Sequence, residues 1–501
     1  MKPIDLSQAQ LQKIGFLARQ RRGNVIDGQE RAPADGRYLA VIDPATEMVV
    51  AEAPDSSAAD VDAAVAAARR AFEDSAWSRL RPADRERLLY KLSLLIEDHA
   101  DELSALETLQ SGKLQGIARM IDVGAGAEFV RYMAGWATKL EGQTLAPSIP
   151  GPPGAQFVTY TRREALGVVG AIVPWNFPLA IALWKVAPAL ATGCTVVLKP
   201  SEETPLTALR LAELALEAGF PPGVLNVVCG RGETTGAALA KHPGINKLSF
   251  TGSTGVGKAI GHAAVDNMAR FTLELGGKSP MIVLEDADPQ RAIEGAAMGI
   301  FFNQGQVCTA GSRLYVHRKL FDQVTHGLAR AAEGLRIGSG FDPATQLGPL
   351  VSQRHFERVM GYIARARGEG ASVLTGGARA LDGGYFVQPT VFVDARPAMQ
   401  IVREEVFGPV IVAQPFDDVE DVIRQANDTP YGLGASVWSN NLSAVHRIVP
   451  RLQAGMVWVN THNMLDNNLP LGGYKQSGYG RDLGRVAVES YTELKSVCMA
   501  V

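Results

Sequence analysis

Apolar positions early in the chain recur at the three-to-four spacing of a helix. Over residues 60–72, Val61, Val65, Ala68 and Phe72 fall on one face. Over residues 85–109, Leu88, Leu92, Leu95 and Ile96 form a second stripe, with Gly112 placed to end it. Both spans are predicted as amphipathic packing helices. The pattern then changes. Residues 147–154 hold four prolines and two glycines, which reads as a boundary loop, and residues 157–162 alternate as a short strand. Beyond it come short β-rich runs at 168–173, 195–198, 224–228 and 247–250, separated by helical patterns at 204–218 and 255–264. Such alternation predicts an α/β, Rossmann-type parallel sheet covered by helices on both faces, with ligands at the carboxyl ends of the strands. A second α/β stretch begins near Ser279, with strand-like runs at 281–284 and 313–316 and helical ones at 289–302 and 321–330. The tail, residues 488–497, has β character suited to pairing with the strand that follows the proline-rich loop.

Composition narrows the possibilities. The 501 residues carry 49 Lys+Arg against 52 Asp+Glu, a formal charge of -3, and 46% are hydrophobic. At roughly 150 residues per domain, two or three packed units are expected. The balanced charge argues against a nucleic-acid or anionic-membrane surface. The first fifteen residues show no signal pattern and no run of about 18 apolar residues occurs, so a cytoplasmic protein without a membrane span is expected. Cys194, Cys229, Cys308 and Cys498 have no CxxC spacing, which fits neither a disulfide framework nor a zinc site, and no metal is expected.

Four places could carry chemistry. Cys308 follows Asn303-Gln304-Gly305-Gln306-Val307, polar and glycine-containing surroundings that suit a reactive thiol, although a lone cysteine can equally be a small buried hydrophobe, as Cys194 reads. Glu274, between apolar residues and before Gly276-Gly277, could be a general base of raised pKa or a structural acid. Asn176, in Pro174-Trp175-Asn176-Phe177-Pro178 at a strand's carboxyl end, could donate into a cleft or cap its own turn. Phe250-Thr251-Gly252-Ser253 opens a helix and could meet a pyrophosphate. That segment is no Walker A loop, because Ala259 stands where Ser or Thr is needed, and a GxGxxG is missing from the first strand-turn.

These motifs, with Lys199-Pro200-Ser201-Glu202 and Glu404-Glu405-Val406-Phe407-Gly408-Pro409, occur together and in order. Over residues 27–497 the chain resembles the aldehyde dehydrogenase superfamily. Within it, Val25-Ile26-Asp27-Gly28, Ser148-Ile149-Pro150, Asn467-Asn468-Leu469-Pro470 and Lys495-Ser496-Val497-Cys498 are similar to the bacterial phenylacetaldehyde dehydrogenases.

The resemblance implies a role for each matching residue. Cys308 becomes the nucleophile that forms a thiohemiacetal and then a thioester. Asn176 and the Cys308 main-chain N–H form the oxyanion hole, and Glu274 activates the hydrolytic water. NAD is the implied cofactor. Lys199 and Glu202 hold the adenosine ribose, with the Glu202 carboxylate disfavouring a 2′-phosphate. Ser253 meets the pyrophosphate, Gly232 lies beside the adenine, Glu405 binds the nicotinamide ribose and Phe407 packs by the ring. Ile172, Pro174, Trp175, Ser201 and Phe250 match other positions of that site. Phe177, Trp184, Thr309, Leu465 and Leu471 should line an apolar, uncharged substrate tunnel with Asn463 near its mouth, suiting an aryl-alkyl or aliphatic aldehyde. His355 stands where many relatives have glutamine, and Leu471 where phenylalanine is frequent.

The same resemblance implies a cofactor domain (1–144 and 164–275), a catalytic domain (276–470) and a β oligomerisation element (145–163 and 471–501), in a homodimer or homotetramer. Two alternatives remain at this stage. One is a CoA-acylating enzyme, disfavoured because Glu274 is retained. The other is a non-catalytic protein on the same scaffold, disfavoured because Cys308 and Asn176 are present.

Overall fold

The structure is a computed structural model that describes residues 14–501. Its first sheet runs in the order Gly478–Tyr479, Arg270–Glu274, Lys247–Thr251, Val168–Ile172, Thr195–Lys199, Leu225–Val227, Asn24–Ile26, Gln29–Arg31. The inner pairs from Arg270–Glu274 to Leu225–Val227 are parallel, and the flanking pairs are antiparallel. Every residue of Val168–Ile172 and Thr195–Lys199 is buried, as strands covered on both faces must be. Of the helices on this sheet, Pro178–Thr192 is the most deeply set. Leu179, Ile181, Leu183, Val186 and Leu190 cover all its sides, so it buries its whole circumference, and Gly193 ends it at φ 97°.

The second sheet, in the order Ser372–Thr375, Thr390–Val393, Val410–Phe416, Arg313–His317, Pro280–Val283, Gly434–Trp438, Met456–Val459, is parallel apart from its first pair. A three-stranded antiparallel sheet joins Thr492–Ala500, Phe157–Ala165 and Thr144–Leu145. The α/β class and the parallel sheets expected from the sequence are therefore present, and residues 147–154 contain no helix or strand.

Two expectations need correction. The helical pattern over 85–109 belongs to two helices, Pro82–Asp98 and Ala100–Ser111, broken at His99 (φ -97°, ψ 19°). The break changes the buried face. The first helix buries one stripe, whereas the second is buried on every side from Leu103 to Ser111 before Gly112 (φ 75°) stops it. In the tail, Val488 lies in the short helix Gly484–Glu489, and the strand begins only at Thr492. Val488 and Ala487 are consumed by the core beside Pro178–Thr192, and from there the strand pairs from Thr492↔Ala165 to Ala500↔Phe157.

Candidate active site

The carboxyl ends of Val168–Ile172, Lys247–Thr251 and Arg270–Glu274 open onto a cleft of ≈ 420 Å³. The second unit closes it with Glu405, Phe407 and His355. Asn176, Glu274 and Cys308 all line this cleft.

Cys308 reaches it through a strained turn. Helix Pro289–Phe301 ends, and Asn303, Gln304 and Gly305 follow with φ of 47°, 58° and 69°. A Cβ on Gly305 would lie 2.1 Å from the Gly408 main-chain oxygen, so only glycine fits. A Cβ on Gly277 would come within 2.6 Å of the Cys308 carbonyl. The thiol is half-buried. Burial, then the negative charges of Glu405 and Glu274, push it up to about 12, so it is protonated at neutral pH in the open cleft.

Asn176 is buried, and its side-chain Nδ2 donates to the Gln306 main-chain oxygen at 2.9 Å. Asn303 Nδ2 donates back to the Asn176 carbonyl at 3.1 Å, and Gln306 Oε1 accepts from Val351 N at 3.0 Å. An Asn amide carries two hydrogens. One is fixed on Gln306, which leaves the second for the cleft.

Glu274 is 5% exposed, and its Oε1 has no hydrogen-bond partner. Burial and the neighbouring Asp482 charge raise its carboxyl well above the usual range, against the opposing effects of Lys185 and Arg481. The chain passes closely here. A Cβ on Gly472 would sit 2.7 Å from Glu274 Oε1.

The remaining residues divide by position. Pro174, Trp175, Ser253, Glu405 and Phe407 line the same cleft. Ser253 caps helix Thr254–Asp266, accepting from Val256 N at 3.4 Å. Glu405 Oε1 accepts from Gly277 N at 3.0 Å, and burial pushes its carboxyl up to about 7. Phe407, in the left-handed region at φ 63°, packs edge-on to Trp175 with ring centroids 5.3 Å apart. Lys199 Nζ lies 3.8 Å from Glu202 Oε2. Ile172 and Phe250 are buried and do not line the cleft, and Ser201 is buried beside Glu202. Gly232 is exposed at the start of the short π-helical segment Gly232–Gly236, and a Cβ added to it would meet nothing within 4 Å.

The five tunnel residues do not line this cleft. Phe177 stacks on Phe302 at 6.3 Å, Trp184 is half-buried on helix Pro178–Thr192, and Leu465 is 43% exposed. Leu471 is 3% exposed and packs in the core, and Thr309 donates to Asn463 Oδ1 at 2.7 Å.

His355, marked in the sequence as a departure from the frequent glutamine, lines the cleft, whereas His462, Lys185 and Asp482 carried no sequence signal. His355 Nε2–H donates to the Phe407 carbonyl at 2.7 Å, with its ring 4.9 Å from that of Trp175. His462 Nε2–H donates to the Thr309 carbonyl at 2.9 Å, and burial pushes its pKa down to about 4, so it acts as a neutral donor. Lys185 and Asp482 form a buried ion pair beside Glu274. Among the described residues, no group of three or more His, Cys, Asp or Glu could hold a metal ion, and no helix is long and apolar enough to cross a membrane.

The arrangement suits a cofactor with a pyrophosphate and sugar hydroxyls. Helix Thr254–Asp266 presents its N-terminus to the cleft, the Glu405 carboxyl stands opposite, and Thr251 Oγ1 and Glu274 Oε1 have no protein partner.

Comparison with known proteins agrees. Residues 31–497 match the aldehyde dehydrogenase family. The phenylacetaldehyde dehydrogenase of Pseudomonas fluorescens is 52% identical over 478 residues, 95% of each chain. The mitochondrial aldehyde dehydrogenase of Homo sapiens is 46% identical, covering 92% of this chain and 88% of its own. An NAD+ complex of aldehyde dehydrogenase from Bacillus cereus superposes with a TM-score of 0.95 at 47% identity over 100% of both chains.

Proposed function

We propose that this chain, which belongs to the aldehyde dehydrogenase family, oxidises an apolar aryl-alkyl aldehyde such as phenylacetaldehyde to its carboxylic acid. The observation that carries the reading is the convergence of Cys308, Asn176 and Glu274 on one cleft with Glu405 and Phe407. The enzyme is an NAD-dependent aldehyde dehydrogenase.

In this reading Cys308 Sγ attacks the carbonyl carbon, and its proton leaves to solvent through the cleft, so that Glu274 stays free for the later step. The new S–C bond places negative charge on the former carbonyl oxygen, where the free N–H of Asn176 and the Cys308 main-chain N–H receive it. Bound NAD+ supplies a hydride acceptor and a positive charge beside a thiol that is otherwise hard to ionise. Glu274, with its raised pKa, then takes a proton from the water that cleaves the Cys308 thioester, releasing acid and free thiol. Retention of that base disfavours CoA as the acyl acceptor.

Lys199, Ser201, Glu202 and Gly232 are assigned to the adenosine half, Ser253 and the helix after it to the pyrophosphate, and Ile172, Pro174, Trp175, Phe250, Glu405 and Phe407 to the nicotinamide half. Glu202 would repel a 2′-phosphate. Phe177, Trp184, Thr309, Leu465 and Leu471 are assigned to the aldehyde side, and none of the five side chains carries a charge. The resemblance to phenylacetaldehyde dehydrogenase favours the same substrate class.

We assign residues 1–144 and 164–275 to cofactor binding, 276–470 to catalysis, and 145–163 with 471–501 to assembly. The edge strand Thr492–Ala500 exposes Leu494 and Met499 and could pair with another copy as a homodimer or homotetramer. A cytoplasmic setting fits this chemistry. The test is kcat/KM for phenylacetaldehyde against succinic semialdehyde and betaine aldehyde. A preference for phenylacetaldehyde supports the reading, and a preference for either charged substrate refutes it.

A further inference from the structure

Helix Pro178–Thr192 starts two residues after Asn176 and has no side-chain cap of its own. Its Leu179 main-chain donor is met from outside. Glu107, on helix Ala100–Ser111, accepts the Leu179 N–H through Oε1 at 3.0 Å and the Thr207 hydroxyl at 2.7 Å. Asp122 lies on the π-helical segment Ala118–Ala125, a geometry that recurs at functional places in proteins. Burial pushes the Asp122 carboxyl up, while Lys113 and the main-chain N–H of Ala180 pull it down. Lys113 Nζ pairs with Asp122 and also lies 4.1 Å from the Phe177 ring centroid. All three ionisable side chains are at most 1% exposed. Glu107 Oε2 and Asp122 Oδ1 have no partner. Burial, then the Asp122 charge, pushes Glu107 up to about 8, so it keeps its proton at neutral pH.

We propose that Glu107, Lys113 and Asp122 are positioning residues that clamp Phe177, Leu179 and Ala180, and thereby hold the Asn176 amide in register with Cys308. The clamp grips both sides of Pro178, so the Asn176 loop cannot shift without breaking a buried contact. Three buried ionisable groups are costly to retain for packing alone. Here Glu107 satisfies the Leu179 donor of a helix whose start aims the oxyanion-hole amide, and Lys113 and Asp122 pack beside it. The catalytic consequence rests on the function proposed above, whereas the clamp itself does not.

The test compares Lys113→Met, Glu107→Ala and Glu107→Gln with wild type. The last keeps an oxygen for the Leu179 N–H. Hydrogen–deuterium exchange over residues 175–181 should rise in Lys113→Met and Glu107→Ala and stay near wild type in Glu107→Gln. With phenylacetaldehyde, kcat per alkylatable Cys308 thiol should fall between about 10- and 100-fold in the first two, with KM within about threefold and with Glu107→Gln restoring the rate. Unchanged exchange, or lowered melting temperature with wild-type kcat per thiol, overturns the proposal. Raised exchange in a protein whose wild type oxidises no aldehyde refutes the function and leaves the clamp standing.

Discussion

The Asn176 side-chain amide is fixed on the main-chain oxygen of Gln306, two residues before Cys308, at 2.9 Å. The proposed nucleophile and oxyanion donor are thus tied together before substrate arrives, through Asn303 as well, which bonds the Asn176 carbonyl at 3.1 Å. A donor already aimed costs no reorganisation when charge develops on the oxygen. Asn176→Ala should therefore lower kcat by about 10²- to 10³-fold while leaving NADH affinity near wild type. Steady-state kinetics and NADH fluorescence titration check both parts.

The approach of Gly305 to Gly408 joins the nucleophile turn to the loop bearing Phe407. Gly305→Ala combines a left-handed φ of 69° with a Cβ 2.1 Å from a carbonyl oxygen. It should cost about 3 kcal/mol of stability and most of the activity. Denaturant midpoints measure the first, and rates on the folded fraction measure the second.

In its proposed role as base, Glu274 must be ionised. Because its carboxyl is raised well above the usual range, kcat should fall as pH drops through that raised pKa, and the acid limb should vanish in Glu274→Gln. That variant should also show a burst of NADH followed by a slow steady rate, since its thioester forms but hydrolyses poorly. A stopped-flow trace across pH reads both effects.

The Lys199–Glu202 pair gives the cofactor prediction. Removing the Glu202 charge as Glu202→Gln removes the repulsion toward a 2′-phosphate while keeping hydrogen-bonding capacity. The NADP/NAD ratio of kcat/KM should rise by about tenfold, near 1.4 kcal/mol. An unchanged ratio would place the discrimination elsewhere.

Contiguous motifs made much of the site legible. Pro174 to Phe177, Glu274 to Gly277 and Gly305 to Cys308 each sit where a strand or helix ends, and strand ends of parallel sheets converge on one cleft. What stayed hidden depends on contacts between distant residues. Lys185 and Asp482 are 297 positions apart, and nothing local marks either as a neighbour of Glu274. The break at His99 was equally silent, because the apolar stripe continues through it while the buried face changes. The tail misled for a related reason. Val488 has β propensity, yet its place against helix Pro178–Thr192 draws it into a helix.

The most direct measurement is NADH formation from NAD and phenylacetaldehyde by the wild-type protein and by Cys308→Ala, each shown to be folded. Aldehyde-dependent NADH with phenylacetic acid as product, reduced by at least about 10³-fold in the variant, is the expected result. Equal rates in both proteins, or no NADH from wild type with any aldehyde, would be incompatible with Cys308 as the nucleophile of an aldehyde oxidation.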